Sequence, residues 1–470
     1  MSSAATARFE LDPSVRRRGG GRLLVGGVPP RLVRLSETGV AALDSLLCGV
    51  EGGSGDAGDG AAAALAARLI EGGLLHPLPG DGRDDPPVTT VVPVLDGGER
   101  LAGLVRALVA EGPVIVVDDG SRDGSAERAA AAGALVIANV GRRGPAGARN
   151  TGLRAAGTEL VAFIDADCVV GRGWRDGLAE LLAADPMAAL VAPRVRGAPG
   201  TSTIARYERG ASPLDLGPSP SRVGHRNRIS YLPAAALLAR RDALLELGGF
   251  DESMRFGEDV DLLWRLLAAG RSARYVPSRE VLHLPRPTVR AFAAQRAGYG
   301  GSAPELARRH GSAVAPLRLG RHTTAVWLVA ALRPGAAPAA LAASLAIVAR
   351  RGSDRDARIA LARIALRGHA DAADHLARTL LREWLPISLV LASRSRRARR
   401  ALAVAAAIES ARALRPATRP ADIALPALRG LDHASYAVGL WREVVRRRDL
   451  SALTPTTETA ADRLPRSPAS

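Results

Sequence analysis

Between Val88 and about His283 the chain alternates short apolar runs with helical patterns, and few folds accept that rhythm. The runs VTTVVPV, PVIVVDD, ALVIANV and LVAFIDAD are too short for buried helices and almost unbroken in apolar character. Helical patterns follow them, from Glu99, from Ser125, from Ala146 and around Asp176 to Ala184. A strand that is apolar on both faces has to be covered on both, which predicts an α/β fold with a Rossmann-like, mostly parallel central sheet. Such sheets bind ligands beyond the carboxyl ends of their strands, where VVDDGS and FIDAD fall.

Upstream, RLLVGG and PRLVRL predict a hairpin across residues 22–35. A helix follows, capped by Ser36 or Thr38, with Val40, Leu43, Leu46 and Leu47 at helical spacing up to Gly49. The tract Glu51 to Gly60 reads as a flexible loop, and a second helix spans Ala61 to Glu71 before Gly72-Gly73. Residues 11–79 are therefore expected to form a small winged-helix-like α+β domain, joined by a polar, Pro-rich linker (80–87) to an α/β domain over 88–310. Residues 311–453 read as helical, rich in Arg and Ala, with Trp327, Trp384, Tyr436 and Trp441 as aromatic anchors; the tail 454–470 reads as disordered.

At 470 residues the chain exceeds any single small module. Its formal charge of +17 comes with no lysine at all, and the bias to Arg, Ala, Gly and Pro points to base composition of the genome more than to a polyanion-binding surface. No nucleic-acid partner is expected. A winged-helix DNA reader would need several basic side chains on its second helix, and AAAALAARLIEGG carries Arg68 alone. Cys48 and Cys168 lack metal-ligand spacing and suit a reducing compartment. The N-terminus carries no secretory pattern, and the apolar stretch Thr324 to Val348 is broken by Arg333, Pro334 and Gly335, so a helical pair is expected there and not a span. The reading is a cytoplasmic protein, with peripheral contact at the inner face of the cell membrane left open by Arg321, Arg350 and Arg351.

Three acidic clusters carry the chemistry: VIVVDDGS (Val114 to Ser121), VAFIDADC (Val161 to Cys168) and GEDVDLLWR (Gly257 to Arg265). Pro93 is expected to end regular pairing of its strand and turn the chain outward beside Asp118 and Asp119. An acid there can accept from a ribose hydroxyl or a uracil N–H, although Asp-Asp-Gly-Ser also reads as a plain capping turn. GRRGPAGARNTGL (Gly141 to Leu153) joins glycines that admit close backbone approach to Arg142, Arg143 and Arg149, which match phosphate. It lacks G-x-G-x-x-G and Walker-A spacing, which sets aside dinucleotide and P-loop sites. By period-two alternation Asp165 and Asp167 share one face, a pair suited to Mg²⁺ or Mn²⁺ that also takes diphosphate oxygens. His283 is a candidate nitrogen ligand, or a structural histidine. Glu258 and Asp259 open a helix whose dipole is expected to lower their pKa values, a poor setting for a base, though geometry in a dehydrated site decides first. Asp261 and Arg265 stand four apart, as an i,i+4 pair would.

In this order, VVPV, VDDGS, GARNTGL, FIDADC, GGFDE and GEDVDLLWR resemble the family 2 glycosyltransferases of the GT-A fold, over about Val88 to Thr288. The resemblance implies an inverting hexosyltransferase that uses a nucleotide sugar donor with Mg²⁺ or Mn²⁺. It implies that Pro93, Asp118, Asp119 and Ser121 hold the nucleoside, Arg149 lies near the diphosphate, and Asp165 meets ribose or metal. Asp167 would ligate the metal, and Glu258 with Asp259 would be the catalytic pair, Asp259 the base. The segment Gln295-Arg296-Ala297-Gly298-Tyr299 departs from the QxxRW signature of processive synthases. Residues 11–79 resemble PqqD-like peptide-recognition domains, and the fusion resembles the glycosyltransferases of mycofactocin biosynthesis. That implies UDP-glucose as donor and a peptide-derived redox-cofactor precursor as acceptor. The competing readings are a family 2 enzyme acting on a cell-envelope polysaccharide or lipid, and a nucleotidyltransferase. The latter wants a basic Gly-rich loop after the first strand, where LDGGERL stands instead.

Overall fold

The computed structural model describes residues 8–48, 56–83, 85–141, 144–225, 227–352, 354–414 and 420–458. Arg142 and Arg143, the first part of the Glu51 to Gly60 tract, and the tail beyond Glu458 lie outside the described residues. The chain divides into two compact units, Met1–Arg286 and Pro287–Ser470.

The first unit opens with the expected hairpin, Leu23–Gly26 against Arg31–Arg34, extended by Arg16–Arg18 into a three-stranded antiparallel sheet. A second pair, Phe9–Leu11 with Leu75–Pro77, closes the beginning of this region onto its end. Helix Glu37–Cys48 starts where the capping residue predicts: the Ser36 hydroxyl accepts from the Gly39 amide at 3.0 Å. The next helix runs Asp56–Glu71, five residues earlier than its periodicity suggests, because small residues at its start extend the turn without adding an apolar face. Val15, Leu24, Leu35, Leu43, Leu69, Leu74 and Leu75 form a core of their own.

Asp12 sits within this region, 1 % exposed, and is surrounded by donors. It accepts from the Ser14 amide at 2.9 Å and hydroxyl at 2.6 Å, and lies 3.0 Å from His76 Nε2 and 3.1 Å from Arg228. Burial alone would raise its pKa, but His76, Ser14 and Arg228 hold the carboxyl well below its ordinary range. The segment expected as a free linker is docked as well. Asp85 accepts from the Gly177 and Glu180 amides at 3.0 and 2.9 Å, capping helix Leu178–Ala184, and Arg279 donates to the Gly80 carbonyl at 2.9 Å.

The central sheet has nine strands. Leu160–Ile164, Val88–Val94, Val114–Asp118 and Leu135–Ala138 lie side by side and parallel, buried along the first three as their apolar runs predict. Beyond Leu160–Ile164 the antiparallel strand Ala236–Arg240 leads to the parallel pair Ala188–Gly197 and Ser272–His283, with Cys168–Val170 and Ser221–Arg222 on the latter. The order reverses at Val88–Val94, whose neighbours are Val114–Asp118 on one side and Leu160–Ile164 on the other, so a crevice forms at these three carboxyl ends. Pro93 does not end its strand; it pairs in register with Val117. The Thr90 amide points to the Val114–Asp118 side, so by alternation the missing N–H of Pro93 falls on the other side, where pairing with Leu160–Ile164 has already stopped after Val91.

In the second unit, helices Val289–His310 and Leu425–Arg447 pack at very close range. A Cβ at Gly300 would overlap the Tyr436 carbonyl, and one at Gly439 the Ala297 carbonyl, so both positions require glycine. The helix Val289–His310 belongs to this unit, which moves the boundary from the expected residue 310 to Arg286/Pro287. Arg296, 2 % exposed, stacks over Phe292 at 4.5 Å and pairs with Asp432 at 3.4 Å, a structural role. The apolar stretch after Thr324 forms the expected helical pair, Arg321–Leu332 and Ala337–Ala349, broken at Pro334. Among the described residues no helix is long and apolar enough to cross a membrane.

Asp12→Asn leaves His76 and Arg228 facing a neutral partner and should lower unfolding stability by about 3 kcal/mol at neutral pH. Because the folded pKa is depressed, the stabilisation is present above the unfolded value and lost as pH falls through it towards the folded one. Urea titrations of both proteins at about pH 7 and about pH 3 should therefore show a gap that narrows only in part at the lower pH, where the folded carboxyl is still ionised.

Candidate active site

All three acidic clusters reach the crevice, and a single arginine joins two of them. Arg149 lies on helix Gly144–Ala155, which packs against Val88–Val94 and Val114–Asp118 and is buried along most of its length. Its Nη2 donates to Asp165 at 2.6 Å and its Nη1 to Glu258 at 2.8 Å. The guanidinium also lies 5.5 Å from the Phe250 ring centre. Burial works against this charge, and the fields of Asp165 and Glu258 more than offset it, raising its pKa. Expected near the diphosphate, Arg149 is here only 4 % exposed and engaged by two carboxylates.

The neighbouring Asn150 completes the junction. It donates to the Phe250 carbonyl at 2.8 Å and accepts from the Phe250 amide at 2.9 Å, which ties the helix to the GGFDE turn. Gly249 has φ +73, and a Cβ there would overlap Asn150 Oδ1. Arg265 holds the same turn from the other side, donating to the Leu247 and Gly249 carbonyls at 2.9 and 2.7 Å while pairing with Asp261 at 2.8 Å, the expected i,i+4 contact. Trp264 is core: 5 % exposed, it donates to the Ser230 carbonyl at 2.7 Å.

Of the nucleoside candidates, Asp119 is the buried one. It accepts from Asn139 Nδ2 at 2.6 Å and from the Gly144 amide at 3.2 Å, which orients a carboxylate at the rim of the crevice. Asp118 accepts from the Ser121 amide at 3.2 Å, and Ser121 accepts from the Asp96 amide at 2.9 Å. These two brace the turn against the loop after the first strand, and neither caps the following helix, whose N-cap is Gly124.

Asp165 and Asp167 diverge because the strand ends at Ile164 and a turn follows, so period-two alternation no longer applies. Asp165 turns to Arg149. Asp167 lies 3.2 Å from His283 Nε2 and 3.1 Å from Arg286, brought together by the antiparallel pairing of Cys168 with His283. Burial opposes the Asp167 charge, but His283 and Arg286 keep its pKa low; burial likewise opposes a charged His283, and Asp167 raises its pKa. Among the described residues no three His, Cys, Asp or Glu side chains are grouped to hold a metal, because Asp165 is drawn away. Asp167 and His283, with adjacent oxygen and nitrogen donors, still fit one edge of a divalent ion's coordination shell.

Glu258 and Asp259 open helix Glu258–Ala268 as expected, but their acidity is shifted the other way. Burial, then the charge of Asp259, pushes Glu258 up to about 7, against the pull of Arg149. Burial also raises Asp259, which accepts from the Ala234 and Val260 amides at 3.1 and 2.8 Å. Desolvation outweighs the helix dipole here. Sequence reasoning missed Asn139, Asn150 and Arg286; for Asn139 and Asn150 the signal was a lone polar residue at the exit of an apolar run or beside the motif arginine.

The segment 89–246 matches the family described as glycosyl transferase family 2. Nearly the whole chain aligns with a Pre-mycofactocin glycosyltransferase of Mycobacterium tuberculosis: 37% identity over 468 residues, covering 96% of this chain and 97% of that one. The chain belongs to the family 2 glycosyltransferases, with the GT-A arrangement its motifs implied, and it is a sugar-transferring enzyme. The nucleotidyltransferase reading falls with that finding. A shorter match, 32% identity over 27% of this chain and 47% of the relative, is to an N-acetylglucosaminyl-diphospho-decaprenol L-rhamnosyltransferase of the same organism. Among solved structures, a mannosyltransferase from Pyrobaculum calidifontis in complex with GDP-Man and Mn²⁺ aligns at a TM-score of 0.42 and 18% identity, covering 78% of this chain and 90% of that one.

Glu258 should leave a signature in stability. Its carboxyl ionises near 4.5 in the unfolded chain and near about 7 in the fold, so the unfolded state loses its proton first and stability falls as pH rises between these values. Glu258→Gln should shrink the stability difference between about pH 5 and about pH 8 by up to about 3 kcal/mol, read from urea midpoints. An undiminished difference would remove the shift from Glu258.

Proposed function

We propose that this chain moves glucose from UDP-glucose, with inversion, to a hydroxyl of a peptide-derived redox-cofactor precursor of the mycofactocin type. The near full-length match to a Pre-mycofactocin glycosyltransferase carries the acceptor class. The carboxylate pair at the head of helix Glu258–Ala268 supports the reaction type, since a desolvated acid of raised pKa is a stronger base than an ordinary carboxylate.

Asp259 is the better base of the two. Glu258 is 7 % exposed and gives one oxygen to Arg149, whereas Asp259 is only half-buried and is oriented by two backbone amides. In a single displacement Asp259 takes the acceptor hydroxyl proton as that oxygen bonds the anomeric carbon, and the nucleoside diphosphate leaves with the electrons of the broken bond. Arg149 positions Glu258 and Asp165. Asp119, held by Asn139, offers an acceptor to the base or ribose of the donor.

Asp167 and His283 would hold a Mg²⁺ or Mn²⁺ ion, whose charge, when bound, offsets that of the leaving diphosphate. The region around Phe9–Leu11 and Leu75–Pro77 serves as a PqqD-like platform for the peptide. A cavity of about 370 Å³ supports this, lined by Glu10 and His76 on one side and by Tyr275 and Glu280 of the sheet on the other.

The test is a transfer assay with a panel of nucleotide sugars and precursor peptide, with and without Mn²⁺. UDP-glucose should be consumed with formation of an α- or β-linkage opposite to that of the donor. Asp259→Asn should cut transfer by a factor of about 10² to 10⁴ with donor-induced thermal stabilisation retained. Near-wild-type turnover in that variant would take the base role from Asp259.

A further inference from the structure

In the second unit, helices Leu385–Arg394 and Arg396–Leu414 meet at the single residue Ser395. Ser388 and Ala392 face inward, 6 % and 8 % exposed. Ile387, Leu389, Val390 and Leu391 stand in solvent, between 43% and 55% exposed. Ile387, Val390, Leu391 and Arg394 follow the i, i+3, i+4, i+7 spacing of one helical stripe.

Arginines flank the row. Arg394, Arg396, Arg397, Arg399 and Arg400 are all exposed, and no acid occurs from Leu385 through Ile408. Arg399 donates to the Ala392 carbonyl at 2.9 Å, which holds the arginine-rich turn beside the apolar one. Arg394, Arg396, Arg397 and Arg400 have no carboxylate partner among the described residues.

We infer that the Leu385–Arg400 corner is a docking element for an anionic phospholipid bilayer, its apolar row entering the headgroup boundary and its arginines meeting lipid phosphates. Charge selects this occupant. A second copy of the chain would bring two unpaired arginine clusters face to face, and a nucleic acid would engage the arginines while leaving four bulky apolar side chains in water. The contact expected near Arg321, Arg350 and Arg351 is thus assigned to a different corner.

Co-sedimentation of the full chain with phosphatidylcholine vesicles, with and without phosphatidylglycerol, tests the inference. The wild type should bind the anionic vesicles and release in high salt. Val390→Ser with Leu391→Ser should weaken binding roughly tenfold or more, and Arg396→Glu with Arg397→Glu should do the same. Both variants should keep the wild-type unfolding midpoint and wild-type sugar transfer to a soluble acceptor, since the positions are exposed. Equal binding to neutral vesicles, wild-type binding by either folded variant, no binding at all, or an oligomer that dissociates in the serine variant would each overturn the proposal.

Discussion

The arrangement of the site depends on one buried cation. Arg149 places its guanidinium between Asp165 and Glu258, 2.6 and 2.8 Å away, and so joins the end of a parallel strand to the start of a helix more than ninety residues later. A desolvated arginine is tolerated only with its charge neutralised, and desolvated carboxylates only with a cation or a proton. Each member therefore requires the others. Asn150, one residue on, fastens the same helix to the Gly249 turn, so the loops of the crevice are held by neighbouring side chains of one element.

Around that cation, carboxylates of the same kind acquire different characters. Asp119 is oriented by an amide and a backbone N–H, Asp167 by an imidazole and a guanidinium, and the desolvated pair by the Arg149 guanidinium on Glu258 and by backbone amides on Asp259. The first kind of setting suits recognition, the second holding a cation, the third accepting a proton. The buried Cys168 thiol lies among them with its pKa raised by burial and by Asp165 and Asp167, which leaves it unreactive.

The parts legible in the sequence were those written locally. Apolar runs marked Val88–Val94, Val114–Asp118 and Leu160–Ile164 within three residues, and Ser36 marked the start of its helix. The strand-end and helix-start placement of Asp119, Asp165 and Glu258 was legible for the same reason. Less visible were contributions with no local period. The antiparallel strand Ala236–Arg240 inserts between two strands from elsewhere in the chain, and Gly80 and Asp85 are docked by Arg279 and by the Gly177 and Glu180 amides. The pairing of Val289–His310 with Leu425–Arg447 rests on Gly300 and Gly439, which in sequence read only as weak points of helices.

By itself the sequence determined the alternation of elements, the ends at which acids gather, and membership of a transferase family through the order of its motifs. Tertiary structure decided what surrounds each acid. Arg149 and Glu258 stand 109 residues apart, and only the fold shows that one is the counterion of the other. The helix dipole, a local effect, predicted a lowered pKa at Glu258 and Asp259; desolvation, which depends on everything packed around them, raised it. Periodicity and turn chemistry act between near neighbours, whereas burial and charge pairing act through space.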